Sequence, residues 1–417
     1  MMESGRSTDR SCRVASAALA AVLLLLAACG GAAGGGNQPK TVKVAGIWPL
    51  SGPFANNGQA SLAGAKYAAD RINAAGGIKA LGGAKIEIAS ADTGTTAQTA
   101  VSTTQNTLRD SSIVASMGSW LSSFSLATTE VSERQQVPWV TDSFSDEMTS
   151  RGFRYLFAVD PPSSQLGKLM YDDVAEIAKS GGRPLQSVAV VGDNTAAAVP
   201  AQDSLKAELT KNGVKIPVQQ RWTPPLADAS PVADRIQGAG VDAVLIVGFA
   251  FNDVSQLVQQ LRSRKVNALI AQLGGQSVLP QWSTMGDAAL GMVGVLGVAP
   301  LKSSQSVAQA MTKALNLPFV QQDQLTAYLM LQVIAQGLEK AGKADREALR
   351  NALATMDVKS GPLADLVASH HVKFDSNGRL QNPVVAAMQW QRTSGALQPC
   401  TIFPTKDALC KPLPPGQ

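Results

Sequence analysis

From Thr41 onward the chain repeats one unit: a short apolar run, a loop of small polar residues, then a segment of helical periodicity. Parallel strands buried on both faces read as unbroken apolar runs and need a helical crossover to return, so this alternation predicts helix-covered parallel sheets. Val42 to Ile47, Lys85 to Ala89, Ile113 to Met117 and Val137 to Thr141 read as strands. Helices are expected over Ser61 to Asn73, with Leu62, Ala65, Ala69 and Ile72 on one face, and from about Ser125 to Gln135. After Pro161-Pro162 the cycle starts over. Helices at Leu166 to Lys179, Pro200 to Lys211, Val232 to Gly238 and Val254 to Arg264 alternate with strands at Ser187 to Val191, Val214 to Arg221, Ala243 to Val247, Ala268 to Leu273 and Val293 to Val298. That describes two α/β units, each a doubly wound sheet. Helices at Val307 to Leu315, Asp323 to Ala341 and Asp345 to Thr355 follow, then a strand entering a turn at Val372 to Gly378 and a last strand at Val384 to Gln391.

The length of 417 residues accommodates two domains or three, and 45% hydrophobic against 16% charged residues suits packed cores. The net charge of +5 is scattered, with no basic run, which argues against a nucleic-acid partner. Enzymatic chemistry finds no constellation. The two histidines, His370 and His371, are adjacent and would point to opposite faces of a strand, and no zinc, P-loop, nucleophile-elbow or dinucleotide pattern occurs. The expectation is a protein that is not an enzyme, with no cofactor and no metal.

Residues 1–28 read as a secretory signal. Arg6, Arg10 and Arg13 precede an apolar run from Val14 to Ala28, too short to span a bilayer comfortably. The run closes on Leu26-Ala27-Ala28-Cys29-Gly30, which resembles a bacterial lipobox and implies lipidation of Cys29. Residues 29–40, rich in Gly and Ala, read as a flexible tether. The localisation implied is export, with a lipid anchor holding the chain at the outer face of the cytoplasmic membrane or in the periplasm. Of four cysteines, Cys12 leaves with the signal and Cys29 carries lipid, so Cys400 and Cys410 are expected to pair, with two free thiols as the alternative.

Small-hydroxyl loops follow two strands of the first unit. Ser119 to Ser125 lie at a helix start, where free backbone N–H groups suit an anion, and Asp142-Ser143-Phe144-Ser145-Asp146 set small donors beside an aromatic ring. In open α/β sheets this edge holds the ligand. Capping of a helix is the competing role for each serine.

The order Val42-Lys43-Val44-Ala45-Gly46-Ile47, Pro49-Leu50-Ser51-Gly52-Pro53-Phe54, Asn73-Ala74-Ala75-Gly76-Gly77-Ile78 and Asp92, with Val137-Pro138 and Phe374-Asp375 before Gly378, resembles the leucine/isoleucine/valine-binding proteins of bacterial ABC importers. The resemblance covers nearly all of the mature chain. It implies a bilobal type I periplasmic-binding fold, two doubly wound parallel-sheet lobes joined by a three-stranded hinge. Lobe one would comprise 41–158 plus 300–357, lobe two 159–299 plus 358–410, with 411–417 a tail. A small-molecule ligand would lie in the cleft, and the loaded monomer would dock on an ABC permease and its ATPase. Carried over residue by residue, carboxylate binding falls on Ser122 beside Trp120 and Ser123, a second loop on Ser143, Phe144 and Ser145, and a lobe-two aromatic on Phe249. The lobe-one apolar wall falls on Asn57 and is therefore changed. The acid that would meet an α-ammonium falls near Gly274 and is missing, as is a Tyr-Gly near Ala197-Ala198. A buried ammonium without a carboxylate costs several kcal/mol, so the expected ligand is carboxylate-bearing or neutral, with an apolar or aromatic body. An amino acid held by another acid, Asp142 or Asp193, is the alternative. A receptor signalling to a membrane partner is a second functional class compatible with the same fold.

Overall fold

The computed structural model describes residues 39–393 and 395–414; Cys29 and the expected signal lie outside them. Five apolar runs build one parallel sheet: β1 (Thr41–Trp48), β2 (Lys85–Asp92), β3 (Ile113–Gly118), β4 (Trp139–Thr141) and β5 (Leu156–Ala158), in the order β2-β1-β3-β4-β5. A second sheet has the order β14-β13-β10-β9-β8-β6-β7. Its parallel body is β6 (Ser187–Asp193), β7 (Lys215–Trp222), β8 (Ala243–Val247), β9 (Leu269–Leu273) and β10 (Val293–Leu296). An antiparallel edge, β13 (Ala386–Thr393) and β14 (Ala396–Phe403), completes it. The short pair β11 (Asp357–Val358) and β12 (Val372–Lys373) stands apart.

Every residue of β8, Ala243 to Val247, is buried, as expected of a central strand with helices on both faces. Helix α1 (Ala55–Ala74) begins six residues ahead of the stretch expected from sequence, because Asn56, Asn57 and Gln59 break the apolar stripe without breaking the helix. Helix α2 (Ala97–Leu108) has no counterpart in the sequence reading. Its buried face is only Ala100, Thr104 and Leu108, and Thr96 caps it with Thr99 in a reciprocal pair. Helices α3 (Ser122–Arg134) and α4 (Glu147–Ser150) follow β3 and β4. Helices α5 (Ser163–Ser180), α6 (Ala198–Lys211), α7 (Ser230–Ala239) and α8 (Phe251–Ser263) serve the second sheet.

The chain then returns to the first core. After α9 (Gln305–Ala314), helix α10 (Gln322–Ala341) is buried nearly all round, polar first turn included, between α1 and α11 (Arg346–Ala354). The approach of α10 to α1 needs Gly64, where a Cβ would stand 2.2 Å from the Gln324 carbonyl oxygen. Leu363, Leu366, Val372, Phe374 and Leu380 also bury themselves in this first core. The stretch 358–410 therefore divides. Its first part packs with the first sheet, where Arg379 bridges to Ala158 at the β5 edge, and only its β13–β14 part extends the second sheet.

His370 and His371 are not strand residues. His370 has a left-handed backbone (φ 52°), and the two rings separate to Asp407 (3.0 Å) and Asp357 (2.8 Å). Cys400 and Cys410 are joined by a disulfide with Cα atoms 6.0 Å apart. This ties β14, whose Gln, Pro and Cys concealed it in the sequence, to the chain after Ala408.

Candidate ligand site

Loops at the carboxyl ends of both parallel sheets converge on one cavity of about 190 Å³. The first sheet supplies Phe54 after β1, Trp120 to Ser123 after β3, and Asp142 and Phe144 after β4. The second supplies Asp193 and Thr195 after β6, Pro224 after β7, Phe249 after β8 and Gln276 after β9. The first turn of α10 adds Gln322, Asp323 and Thr326.

The turn after β3 is shaped by Gly118, whose φ of +125° and position 1.9 Å (Cβ) from the Ile47 carbonyl oxygen admit no side chain. Trp120 follows in a left-handed conformation (φ 68°). Its ring lies 5.4 Å, centroid to centroid, from Phe54, and its Nε1–H donates to Asp323 Oδ1 at 3.0 Å. Across the cavity Phe144 and Phe249 stack at 6.4 Å and 25°. One ring comes from the first sheet's loop and the other from the second's, so this pair closes the apolar wall between the halves.

Five of the eight expected ligand residues, Trp120, Ser122, Ser123, Phe144 and Phe249, line the cavity. The other three stand behind it. Asn57 is buried in α1 and donates through Nδ2 to Asp323 Oδ2 at 2.7 Å. The Ser143 hydroxyl donates to that of Ser122 at 3.1 Å. The Ser145 carbonyl receives Arg379 Nη2 at 2.7 Å, and Arg379 Nη1 donates to the carbonyls of Ser143 and Asp160, each at 3.0 Å. The buried guanidinium thereby fixes the β4 loop to the crossover between the sheets.

Electrostatically the cavity is acidic. Asp142, Asp193 and Asp323 line it, and no Lys, Arg or His does so among the described residues. Burial pushes the Asp142 carboxyl up to about 7, with the nearby Asp323 charge adding to the rise. Burial also lifts Asp323 to about 6 against the opposing hydrogen bonds from Asn57 and Trp120. Asp193 is raised by burial as well, although the Thr195 hydroxyl, the Thr195 N–H and the Phe249 N–H all bond to it. Asp142 Oδ1 is buried with no hydrogen-bond partner. Sequence reasoning missed Asp323 as a site residue altogether. Its only local signal was a carboxylate in the first turn of a helix, a common capping feature.

The model of the family described as "Periplasmic binding protein" matches residues 41–396. The chain belongs to that family. Members of the periplasmic binding protein family are exported solute-binding proteins, not enzymes. A curated relative is Leu/Ile/Val-binding protein homolog 7 of Brucella abortus, 24% identical over 380 residues, covering 88% of this chain and 92% of the relative. Among solved structures, an ABC transporter substrate-binding protein from Sphaerobacter thermophilus matches with a TM-score of 0.73 at 19% identity, covering 90% of this chain and 100% of the other. A branched-chain amino acid substrate-binding protein of Streptococcus pneumoniae, solved with isoleucine, matches at TM-score 0.70 and 20% identity, covering 87% and 99%. At these identities the structures speak for the bilobal periplasmic-binding fold.

Proposed function

We propose that this chain is the solute-binding component of an ABC importer. It would trap a small amine-bearing solute with an apolar or aromatic body between two lobes and present it to a membrane permease and its ATPase. The observation that carries this reading is the cavity lined by loops of both sheets, with Phe144 and Phe249 meeting across it. Contacts that exist together only when the halves meet give ligand-driven closure its free energy. Trp120, Ser122, Ser123, Phe144 and Phe249 are the direct ligand contacts, Asn57, Ser143 and Ser145 support them, and Cys29 carries the lipid anchor.

The ligand preference moves from that expected of the sequence. The acid absent near Gly274 is replaced by acids from other elements, and a carboxylate ligand would meet three buried carboxylates. The test is small-angle scattering and calorimetry of the purified chain with compounds recovered from the host by mass spectrometry. Contraction on binding an amine-bearing solute, with the compound released unchanged, supports the proposal. Turnover of the compound, or no contraction with any binder, overturns it.

A further inference from the structure

We propose that the ligand is a net organic cation, an amine without a carboxylate, whose charged head sits between Asp142 and Asp323 and against the face of Trp120. The inference rests on the solute-binding reading above and adds the charge class of the solute.

Two independent features carry it. The first is the charge balance of the cavity: three carboxylates line it, and among the described residues no basic side chain does. The buried Arg379 guanidinium behind the β4 loop is spent on the carbonyls of Ser143, Ser145 and Asp160. The amino end of α3 contributes about half a positive charge at Ser122 and Ser123, too little to reverse the sign. A zwitterion brings no net charge and leaves that imbalance in place, whereas a cation reduces it.

The second feature is an unmet hydrogen-bonding atom. Asp142 is 7% exposed, lines the cavity, and its Oδ1 has no partner. A buried carboxylate oxygen without a donor costs several kcal/mol, and an ammonium N–H supplies the donor. Asp323 beside it is already oriented from two sides by Asn57 and Trp120. The Trp120 and Phe54 rings meanwhile offer the π-faces that attract alkylammonium groups, and Phe144 with Phe249 encloses the apolar remainder.

Proton uptake would oppose a cation, so the pH profile reports its presence. The charged groups facing Asp142 are Asp323 from α10, Asp160 with Arg379 from the crossovers, and Asp193 from the second sheet. As Asp142 and Asp323 lose their protons, cation affinity rises; a carboxylate ligand would show the reverse.

The experiment is calorimetric titration with two matched series: isoamylamine, leucine and isocaproate, then phenethylamine, phenylalanine and hydrocinnamate. Within each series the apolar body is shared and the charge runs from positive through zwitterionic to negative. The expected result is that an amine binds at least about tenfold more tightly than its amino acid, with affinity rising from about pH 5 to about pH 8. Asp142→Asn and Asp323→Asn each lower that affinity by about tenfold or more while their unfolding temperatures confirm folding. Tighter binding of the amino acid or acid, a falling pH profile, or an Asp142→Asn protein with undiminished amine affinity overturns the proposal. If neither series binds, the solute recovered from the host decides: a net cation supports the proposal, and a neutral or anionic one overturns it while leaving solute binding intact. Scattering that never contracts with any compound overturns both.

Discussion

Replacing Asp142 by Asn should stabilise the ligand-free protein in a pH-dependent way while impairing its function. Burial lifts this carboxyl from 3.8 to about 7, a difference of about three units, which by linkage is about 4 kcal/mol. A raised carboxyl favours the folded state fully below its unfolded value of 3.8, and that contribution is lost as pH rises through about 7. The uncharged Asn does not titrate. Relative to Asp142→Asn, the unmodified protein therefore loses stability by under about 1 kcal/mol at pH 4 and by about 4 kcal/mol at pH 8. For a folded body of about 380 residues, an unfolding entropy near 2.1 cal/mol/K per residue converts 4 kcal/mol into roughly 5 °C. The assay is thermal unfolding by circular dichroism of both proteins, without ligand, across that pH range. A gap in unfolding temperature that widens with pH is the expected result. A gap that stays constant, or an Asn variant less stable at pH 8, would mean that Asp142 is not a desolvated carboxyl and would remove the physical basis of the site.

Three other substitutions have defined outcomes. Asn57→Leu deprives Asp323 Oδ2 of its donor, so the Asp323 carboxyl should titrate above its present value of about 6; carbon-detected NMR of the side chain reads this directly, and an unchanged midpoint refutes it. Gly64→Ala places a methyl 2.2 Å from the Gln324 carbonyl oxygen, forcing α1 from α10 at a cost of about 1–3 kcal/mol in denaturant titration. Cys400→Ser opens a loop of sequence separation 10, which the chain-entropy model values at about 2–3 kcal/mol; faster amide exchange confined to β14 and its neighbours is the expected signature, and no change in exchange would show that the tail is held by packing alone.

The alternation of strand and helix was legible because apolar runs such as Ala243 to Val247 leave the backbone few other ways to bury them. What escaped notice had weak patterning. Helix α2 reads Ala-Gln-Thr-Ala-Val-Ser-Thr-Thr-Gln-Asn-Thr-Leu, and two small residues and one Leu suffice for its thin buried face. β5 is three residues long and owes its place to β4 on one side and the Arg379 segment on the other. His370 and His371 read as strand residues, whereas His370 has a left-handed backbone and its ring meets Asp407, 37 residues further on, a contact that no local pattern announces.

The site divides along the same physical line. Residues next to one another at a strand end, such as Ser122 with Ser123 or Phe144, could be found from the loop that holds them. Asp323 could not, because Asn57 and Trp120, which orient it, lie 266 and 203 residues away in the chain. Position by position, the acid would stand near Gly274, where this chain has none. A buried charge asks only whether some element delivers a carboxylate to the cavity, and here the first turn of α10 and the loop after β4 do so from the opposite half. Moving the acids across the cleft places the groups that would hold a cationic head on the first half. A cation would be captured by the half carrying Asp142, Asp323 and Trp120, and the second half, bringing Phe249 and Asp193, would then close over its body.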